Sequence, residues 1–406
     1  MSASRLTAAE VETEDVLRSG HPSADHADRA PAAGMLQILS PDGTMADGLT
    51  AKIDGRLIDF SPYLFPGDAQ HLQSLYRDMF RIRRFDQEST ALQRQGQLAL
   101  WVPLTGQEAA QIGSGRALEP QDYAFPTYRE HGVALTRGIE LSDILRLFRG
   151  VTNGGWDPRE RNFHFYTLVL AAQALHAVGY AMGMQRDQLA DPCLPPAASI
   201  AYFGDGASSE GDIHESMVFA ASFNAPVVFF CQNNQWAISV PSSVQTKVPL
   251  ALRAEGYGFP GVRVDGNDVV AVEAVTRWAL EYARSGRGPV LIEAYTYRMS
   301  AHTTADDPTK YRLSHDEQEW AQRDPLTRLE SFLRSTGMAE DAFFDGLVAE
   351  GRDEAATLRQ AVLSMTAPDL ADRFATVYAE PHPLVQEELR FLRDYEAGFA
   401  EDGQDP

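Results

Sequence analysis

The stretch Ala198-Ser199-Ile200-Ala201-Tyr202-Phe203-Gly204-Asp205-Gly206 decides how this 406-residue chain folds. Its apolar run is too short for a helix and suits a buried strand, and the triplet behind it is a turn. A glycine on each side of Asp205 lets the backbone turn sharply and lets a phosphate approach without meeting a Cβ. The next residues, Ala207-Ser208-Ser209-Glu210, are expected to open a helix whose free N–H groups suit an anion. Alone, Gly-Asp-Gly is commonly no more than a turn. Here residues 207–232 separate it from Asn233-Asn234, which follows the apolar run Val227-Val228-Phe229-Phe230-Cys231. A β-α-β crossover of that length returns the chain to the same sheet edge, so the Asn234 amide oxygen can lie beside the Asp205 carboxylate. A magnesium ion takes six oxygens at about 2.0–2.1 Å. One carboxylate, one amide oxygen, a nearby backbone carbonyl, two diphosphate oxygens and a water would fill that shell.

Working outward, further short apolar runs at Val262–Val264 and Val290–Tyr295 alternate with helical stretches at Ile213–Phe223 and Val269–Arg284. Strand and helix in series predict an α/β fold, a parallel sheet flanked by helices, with its chemistry where strands end and helices begin. Residues 68–96 carry helical periodicity and end at Gly96; their arginines (Arg77, Arg81, Arg83, Arg84) read as a solvated face. The expected organisation is a disordered polar tail over 1–33 and an extended arm with a hairpin over 34–67. An α/β domain follows over 68–323, and a helical region of two helices and a polar tail over 324–406.

Composition narrows the function classes. Asp+Glu number 57 against Lys+Arg 35, a net charge of −22, so nucleic acid and anionic membranes are not expected partners. An anionic ligand must therefore be held by a local device. Two cysteines cannot make a disulfide framework, and Cys231, inside an apolar run, reads as a core residue. No apolar run approaches the ~20 residues needed to span a bilayer, and the N-terminus lacks the apolar core of a signal peptide. A cytoplasmic protein is expected.

Gly-Asp-Gly, a helix, a strand and Asn-Asn together resemble the cofactor signature of thiamine-diphosphate enzymes. The fuller run, Tyr202-Phe203-Gly204-Asp205-Gly206 through Cys231-Gln232-Asn233-Asn234-Gln235-Trp236-Ala237-Ile238-Ser239, is similar to the α subunit of the decarboxylating component of 2-oxo acid dehydrogenase complexes. That resemblance spans roughly residues 60–380. It implies a thiamine-diphosphate-binding fold and a magnesium ion held by Asp205, Asn234 and the Trp236 carbonyl, with Gly206 and Ala207 at the cofactor. In Phe125-Pro126-Thr127-Tyr128-Arg129-Glu130-His131-Gly132 it assigns Tyr128 and Arg129 to the terminal phosphate, a task the planar guanidinium suits. In Tyr297-Arg298-Met299-Ser300-Ala301-His302-Thr303-Thr304-Ala305-Asp306-Asp307-Pro308 it makes His302 the catalytic residue, touching diphosphate and donating a proton near the reacting carbon. In Thr167-Leu168-Val169-Leu170-Ala171-Ala172-Gln173 it gives the Leu170 carbonyl to the aminopyrimidine amine.

The departures from the family pattern are specific. Many relatives have Ser-Ser-Pro-Leu-Ala-Thr-Gln at the last segment and bind a structural potassium there; the apolar residues of this chain argue against that ion. Gln232 stands where some relatives use an arginine on the diphosphate, and the segment from Asn153 to Arg159 lacks a histidine-bearing loop. Arg159 or Arg161 is the candidate replacement for the lost charge. Thr303 occupies the place of a serine that is phosphorylated in animal relatives.

The cofactor's activation needs a glutamate from a second, pyrimidine-binding domain. After the metal residues only about 170 residues remain, mostly helical. The glutamate is therefore expected from a β subunit, in keeping with the family's α2β2 heterotetramer. The resemblance implies decarboxylation of a 2-oxo acid and transfer of the acyl group to a lipoyl-bearing acyltransferase core. The run Gln93-Arg94-Gln95-Gly96-Gln97-Leu98-Ala99-Leu100-Trp101 together with the His302 segment is most like branched-chain (2-oxoisovalerate) members. Pyruvate and then acetoin are the alternatives, because one methylene is worth only ~1–3 kcal/mol in a pocket. From another class, a non-catalytic scaffold subunit would not need Asp205, Asn234, Arg129 and His302.

Overall fold

A computed structural model describes residues 34–46, 50–53, 55–65, 68–152, 154–375 and 377–400. The expected tail over 1–33 lies outside them, as do Asp54 in the arm's turn and Asn153. The centre is a six-stranded parallel sheet in the order β1-β9-β10-β6-β5-β4. These strands are β1 (Met35–Leu36), β4 (Tyr123–Phe125), β5 (Ser199–Gly204), β6 (Val227–Asn233), β9 (Gly261–Asp265) and β10 (Val290–Tyr295). Among the described residues there are also two small antiparallel pairs: β2 (Thr50–Ile53) with β3 (Arg56–Asp59), and β7 (Trp236–Ala237) with β8 (Val240–Pro241).

The four expected strands are present, each within two residues of its bounds. Successive residues point to opposite faces, and this alternation divides the core. Ile200, Tyr202, Val228, Phe230, Val290 and Ile292 join one cluster with the helix Val269–Tyr282. Ala201, Phe203, Val227, Phe229, Cys231 and Leu291 join the other with the helices Ala172–Ala190 and Gly211–Phe223. Strands apolar on both faces are what a sheet covered on both sides requires. Cys231 is buried among them, as expected of a small core residue.

Register fixes where the site must be. Gly204 pairs with Gln232, and Asn233 pairs with Tyr295. The carboxyl ends of β5, β6 and β10 are therefore level, and the segments starting at Asp205, Asn234 and Thr296 leave the sheet from one edge.

Three expectations need correction. The arm does contain its hairpin, β2–β3, but it also adds β1 to the sheet beside β9. Asp268 secures it, its buried carboxylate accepting from the N–H groups of Ile38 and Leu39, both at 2.7 Å. The arginines of the helix Ala69–Arg94 are not a free solvated face. Arg83 bridges Glu108 at 2.7 Å and Asp324 at 2.6 Å, and Arg81 pairs with Glu354. The cause is tertiary: helices from the C-terminal region cover that face. Among the described residues that region holds four helices after Asp324 rather than two: Pro325–Ser335, Asp341–Ser364, Leu370–Ala375 and Pro383–Ala400. No helix among the described residues is long and apolar enough to cross a membrane.

Candidate functional site

The residues that the resemblance assigns to cofactor, metal and catalysis line one cavity at that sheet edge, whereas Arg159 and Arg161 do not. Tyr128, Arg129, Leu170, Asp205, Gly206, Ala207, Asn234, Trp236 and His302 share a space of about 270 Å³, together with Gln107, Thr127, Glu130, Glu210 and Gln232. They come from five separate segments, and the level strand ends bring them together.

Asp205 follows β5 and is buried. Its Oδ2 accepts from Gln245 Nε2 at 3.3 Å, whereas its buried Oδ1 has no hydrogen-bond partner among the described residues. Burial pushes its pKa up to about 6, against the pull of Arg298. An orphaned carboxylate oxygen is costly in a protein interior unless a cation meets it. Asn234 follows β6. Its Nδ2 donates to Gln107 Oε1 at 3.0 Å, and its Oδ1 accepts from Trp236 N at 3.3 Å. Gln235 (φ 70°) and Ile238 (φ 54°) then take left-handed conformations, each costing of order 1–3 kcal/mol. These bends form the β7–β8 hairpin, which brings Trp236 to the cavity. The Trp236 carbonyl accepts from Arg298 Nη1 at 3.2 Å.

The glycines act differently from the expected sharp turn. Gly206 has ordinary right-handed angles (φ −60°, ψ −46°), but a Cβ there would lie 2.8 Å from Ala237 Cβ. Its missing side chain makes room for the hairpin. A Cβ on Gly204 would meet no protein atom within 4 Å, so that position faces open space. The helix expected directly at Ala207 is only a 3-10 turn over Ala207–Ser209, and the α-helix begins at Gly211. Ser208, inside the turn, donates from N (3.2 Å) and Oγ (2.6 Å) to the Asp205 carbonyl.

Arg129 is buried, and burial lowers its pKa. Its Nη1 donates to the Pro103 carbonyl, and its Nη2 to the His302 carbonyl at 2.9 Å. Arg298, which sequence reasoning passed over although it stands in the quoted His302 segment, is buried too. It donates to the Trp236 and Ile238 carbonyls and to Tyr311 Oη. Burial, with Arg129 nearby, lowers its pKa to about 10. Neither arginine has a carboxylate ion pair among the described residues, and Arg129 is the one arginine in the cavity lining. His302 Nδ1 lies 3.2 Å from Arg129 Nη2 and 3.4 Å from Arg298 Nη1. Guanidinium nitrogens only donate, so Nδ1 accepts and the neutral ring carries its proton on Nε2. Burial and the two cations lower the His302 pKa to about 4. Its backbone N–H donates to Asp306 Oδ2 at 2.8 Å, which fastens the loop.

Gln232 does not stand as a free substitute for an arginine. Its Nε2 donates to Glu130 Oε1 at 2.7 Å, and its Oε1 accepts from Gln111 Nε2 at 3.3 Å. The proposed replacements, Arg159 and Arg161, are not in the cavity lining. Both lie on the short helix Pro158–Arg161, whose N-cap is the Asp157 carboxylate. Leu170 sits half-exposed at the cavity, and the next residue, Ala171, takes φ 72° at the start of the helix Ala172–Ala190. Gln107 and Gln245, which hold Asn234 and Asp205, carry no motif by which a sequence alone could single them out. Among the described residues no three His, Cys, Asp or Glu side chains converge as a metal cluster. A carboxylate, an amide and a carbonyl would need ligand oxygens to complete a shell.

A profile of the dehydrogenase E1 component family matches residues 76–356. The chain is 45% identical over 360 residues to the 3-methyl-2-oxobutanoate dehydrogenase subunit alpha of Mycobacterium tuberculosis (strain ATCC 25618 / H37Rv), covering 88% of this chain and 93% of that protein. It is 40% identical over 306 residues to the pyruvate dehydrogenase E1 component subunit alpha of Staphylococcus aureus (strain N315), with 75% and 78% covered. For the Staphylococcus epidermidis (strain ATCC 35984) protein of the same name, the identity is 37% over 322 residues, with 79% and 82% covered.

Proposed function

The chain belongs to the dehydrogenase E1 component family, and on that premise we propose that it is the α subunit of a cytoplasmic 3-methyl-2-oxobutanoate (2-oxoisovalerate) dehydrogenase. Its work is the decarboxylation of a branched-chain 2-oxo acid with thiamine diphosphate and Mg²⁺, and delivery of the acyl group to a lipoyl-bearing acyltransferase core. One observation carries the cofactor reading: the orphaned, buried Oδ1 of Asp205 shares a cavity with Arg129, which has no carboxylate ion pair among the described residues. A carboxylate in want of a cation beside a cation in want of an anion fits a metal-bridged diphosphate. Greater likeness over a longer stretch to the branched-chain relative than to the pyruvate relatives supports the substrate.

In this reading Asp205, the Asn234 amide oxygen and the Trp236 carbonyl hold the metal. Arg129 and Tyr128 hold the terminal phosphate, with Gly206 and Ala207 lining its approach, and the Leu170 carbonyl receives the aminopyrimidine amine. When bound, thiamine diphosphate supplies a carbon nucleophile and an electron sink for decarboxylation. His302 lines the cavity with its tautomer held by the two guanidinium groups. The neutral ring's Nε2–H would donate a hydrogen bond, and the ring would act as proton donor once the charge of a bound diphosphate favours its protonated form.

The described residues supply one parallel sheet and the diphosphate end of the site. The activating glutamate would come from a β subunit in an α2β2 assembly. Leu168 and Val169, beside Leu170 at the cavity, are 69% and 71% exposed, and Ile238 on the hairpin is 56% exposed. Apolar residues so exposed beside a polar cavity are what a covering subunit would bury. The test is co-expression with the β subunit, then assay with 3-methyl-2-oxobutanoate and with pyruvate plus an artificial electron acceptor. Faster turnover of the branched-chain acid is expected. Preference for pyruvate would overturn the substrate, and no turnover of either by a cofactor-loaded complex would overturn the enzymatic reading.

A further inference from the structure

We infer that Asp86, buried and away from the cavity lining, is the positioning residue that sets the geometry of this site through the segment 101–107. The inference rests on the reading of the cavity as a metal–diphosphate site. Asp86 lies on the helix Ala69–Arg94 and is 2% exposed, with no cation paired to it among the described residues. All its partners are donors of one short segment. Oδ1 accepts from Trp101 Nε1 at 2.8 Å; Oδ2 accepts from Leu104 N at 3.2 Å, Thr105 N at 3.1 Å and Thr105 Oγ1 at 2.7 Å. Four donors fold segment 101–107, which has no helix or strand of its own, around one carboxylate.

That segment touches each functional part of the site. The Pro103 carbonyl takes Arg129 Nη1. Trp101 clasps the His302 loop through Thr304, whose N donates to the Trp101 carbonyl at 3.0 Å while its Oγ1 accepts from Trp101 N at 3.0 Å. The Thr105 carbonyl accepts from Met299 N at 3.0 Å, and the Gly106 carbonyl from Thr296 Oγ1 at 2.7 Å. Gln107 Oε1 accepts from Asn234 Nδ2, which turns the Asn234 oxygen away from Gln107. Gly106 (φ 97°) has no room for a side chain, since a Cβ would lie 2.3 Å from the Tyr297 carbonyl. The phosphate arginine, the histidine loop and the amide ligand are therefore registered to one strand of backbone, and Asp86 holds that backbone. A displacement there reaches all three at once. Partners that orient a metal ligand are typically worth roughly 10- to 100-fold in affinity or activity.

The experiment uses the α/β complex with Asp86→Asn, which keeps the size and turns one of the two acceptor positions into a donor. Asp78→Asn is the comparison. Asp78 is on the same helix and buried, but is paired with Arg116 and touches nothing in the site. For Asp86→Asn the expected result is a roughly 10- to 100-fold weaker magnesium-dependent binding of thiamine diphosphate. A comparable loss in kcat is expected with KM within about twofold, and faster proteolysis of the cofactor-free complex within 299–305. Asp78→Asn should alter thermal stability alone. Unchanged binding, kcat and proteolysis in a folded Asp86→Asn complex would overturn the inference, as would equal losses in both variants. If Asp86→Asn does not fold, Thr105→Val removes a single donor to the same carboxylate and should move the same three readouts in the same direction; no movement overturns the inference. The proteolysis arm needs no cofactor, so failure of the cofactor reading would show separately, as an unaltered complex that binds no thiamine diphosphate.

Discussion

Replacing Gly206 by alanine should damage cofactor binding far more than folding. The backbone angles at Gly206 are helical and suit alanine, so no conformational strain arises and the unfolded chain loses entropy, a gain of about 0.4–1 kcal/mol. The new Cβ, however, would stand 2.8 Å from Ala237 Cβ. Carbon atoms pack at about 3.5–4.0 Å, so Ala237 must retreat by roughly 0.7–1.2 Å. Such overpacking costs about 1–3 kcal/mol, leaving a net loss of roughly 0–2.5 kcal/mol in stability. The displacement is directional. Ala237 is bonded to Trp236 in the β7–β8 hairpin that follows Asn234, so the proposed metal ligands move with it, and a shift of about 1 Å at such a site can cost on the order of 100-fold. Magnesium-dependent binding of thiamine diphosphate to the α/β complex, followed by tryptophan fluorescence, should weaken by about 10- to 100-fold while the thermal midpoint falls by a few degrees. The double variant Gly206→Ala/Ala237→Gly should recover most of the binding. After Ala237 Cβ the next atoms are Ala237 Cα at 3.5 Å and Gln245 Oε1 at 3.9 Å, both ordinary contacts. Undiminished affinity in the single variant, or no recovery in the double, would refute the steric account.

Two other outcomes follow from the same geometry. Arg83→Met leaves Glu108, fully buried, without its arginine and should cost about 3–5 kcal/mol in denaturant unfolding of the complex; a loss below about 1 kcal/mol would mean that solvent already reaches the pair. His302 is held near 4, below its free value of about 6.5, so the unfolded chain takes up the extra proton between these values and stability falls as pH is lowered through that window. In ring-labelled NMR of the cofactor-free complex His302 should titrate near 4, and Arg298→Met, which removes one like charge, should raise it; titration at or above 6.5 in the unaltered protein would contradict the arrangement.

Much of the fold was legible because strands buried on both faces cannot hide. Ala198–Phe203, Val227–Cys231 and Val290–Tyr295 are largely apolar runs, interrupted only by Ser199 and Glu293, and each lies within a residue or two of its observed span. Edge strands were harder. Met35–Leu36 and Tyr123–Phe125 are two and three residues long, too short for periodicity to register, and they exist because a neighbouring strand offers them hydrogen bonds. The arginines of Ala69–Arg94 were misread for a related reason, since a charge run looks the same whether water or a later helix covers it.

The sequence by itself determined which residues would meet. The interval between Gly204-Asp205-Gly206 and Asn233-Asn234 is one crossover, and right-handed connection in a parallel sheet returns both to the same edge. What the tertiary structure alone decided is how those residues are held. The role of Gly206 depends on Ala237, the tautomer of His302 on Arg129 and Arg298, and the orientation of Asn234 on Gln107. Local patterns encode strands and turns because they obey short-range geometry. Contacts between distant side chains depend on three-dimensional packing, which no single stretch of sequence records.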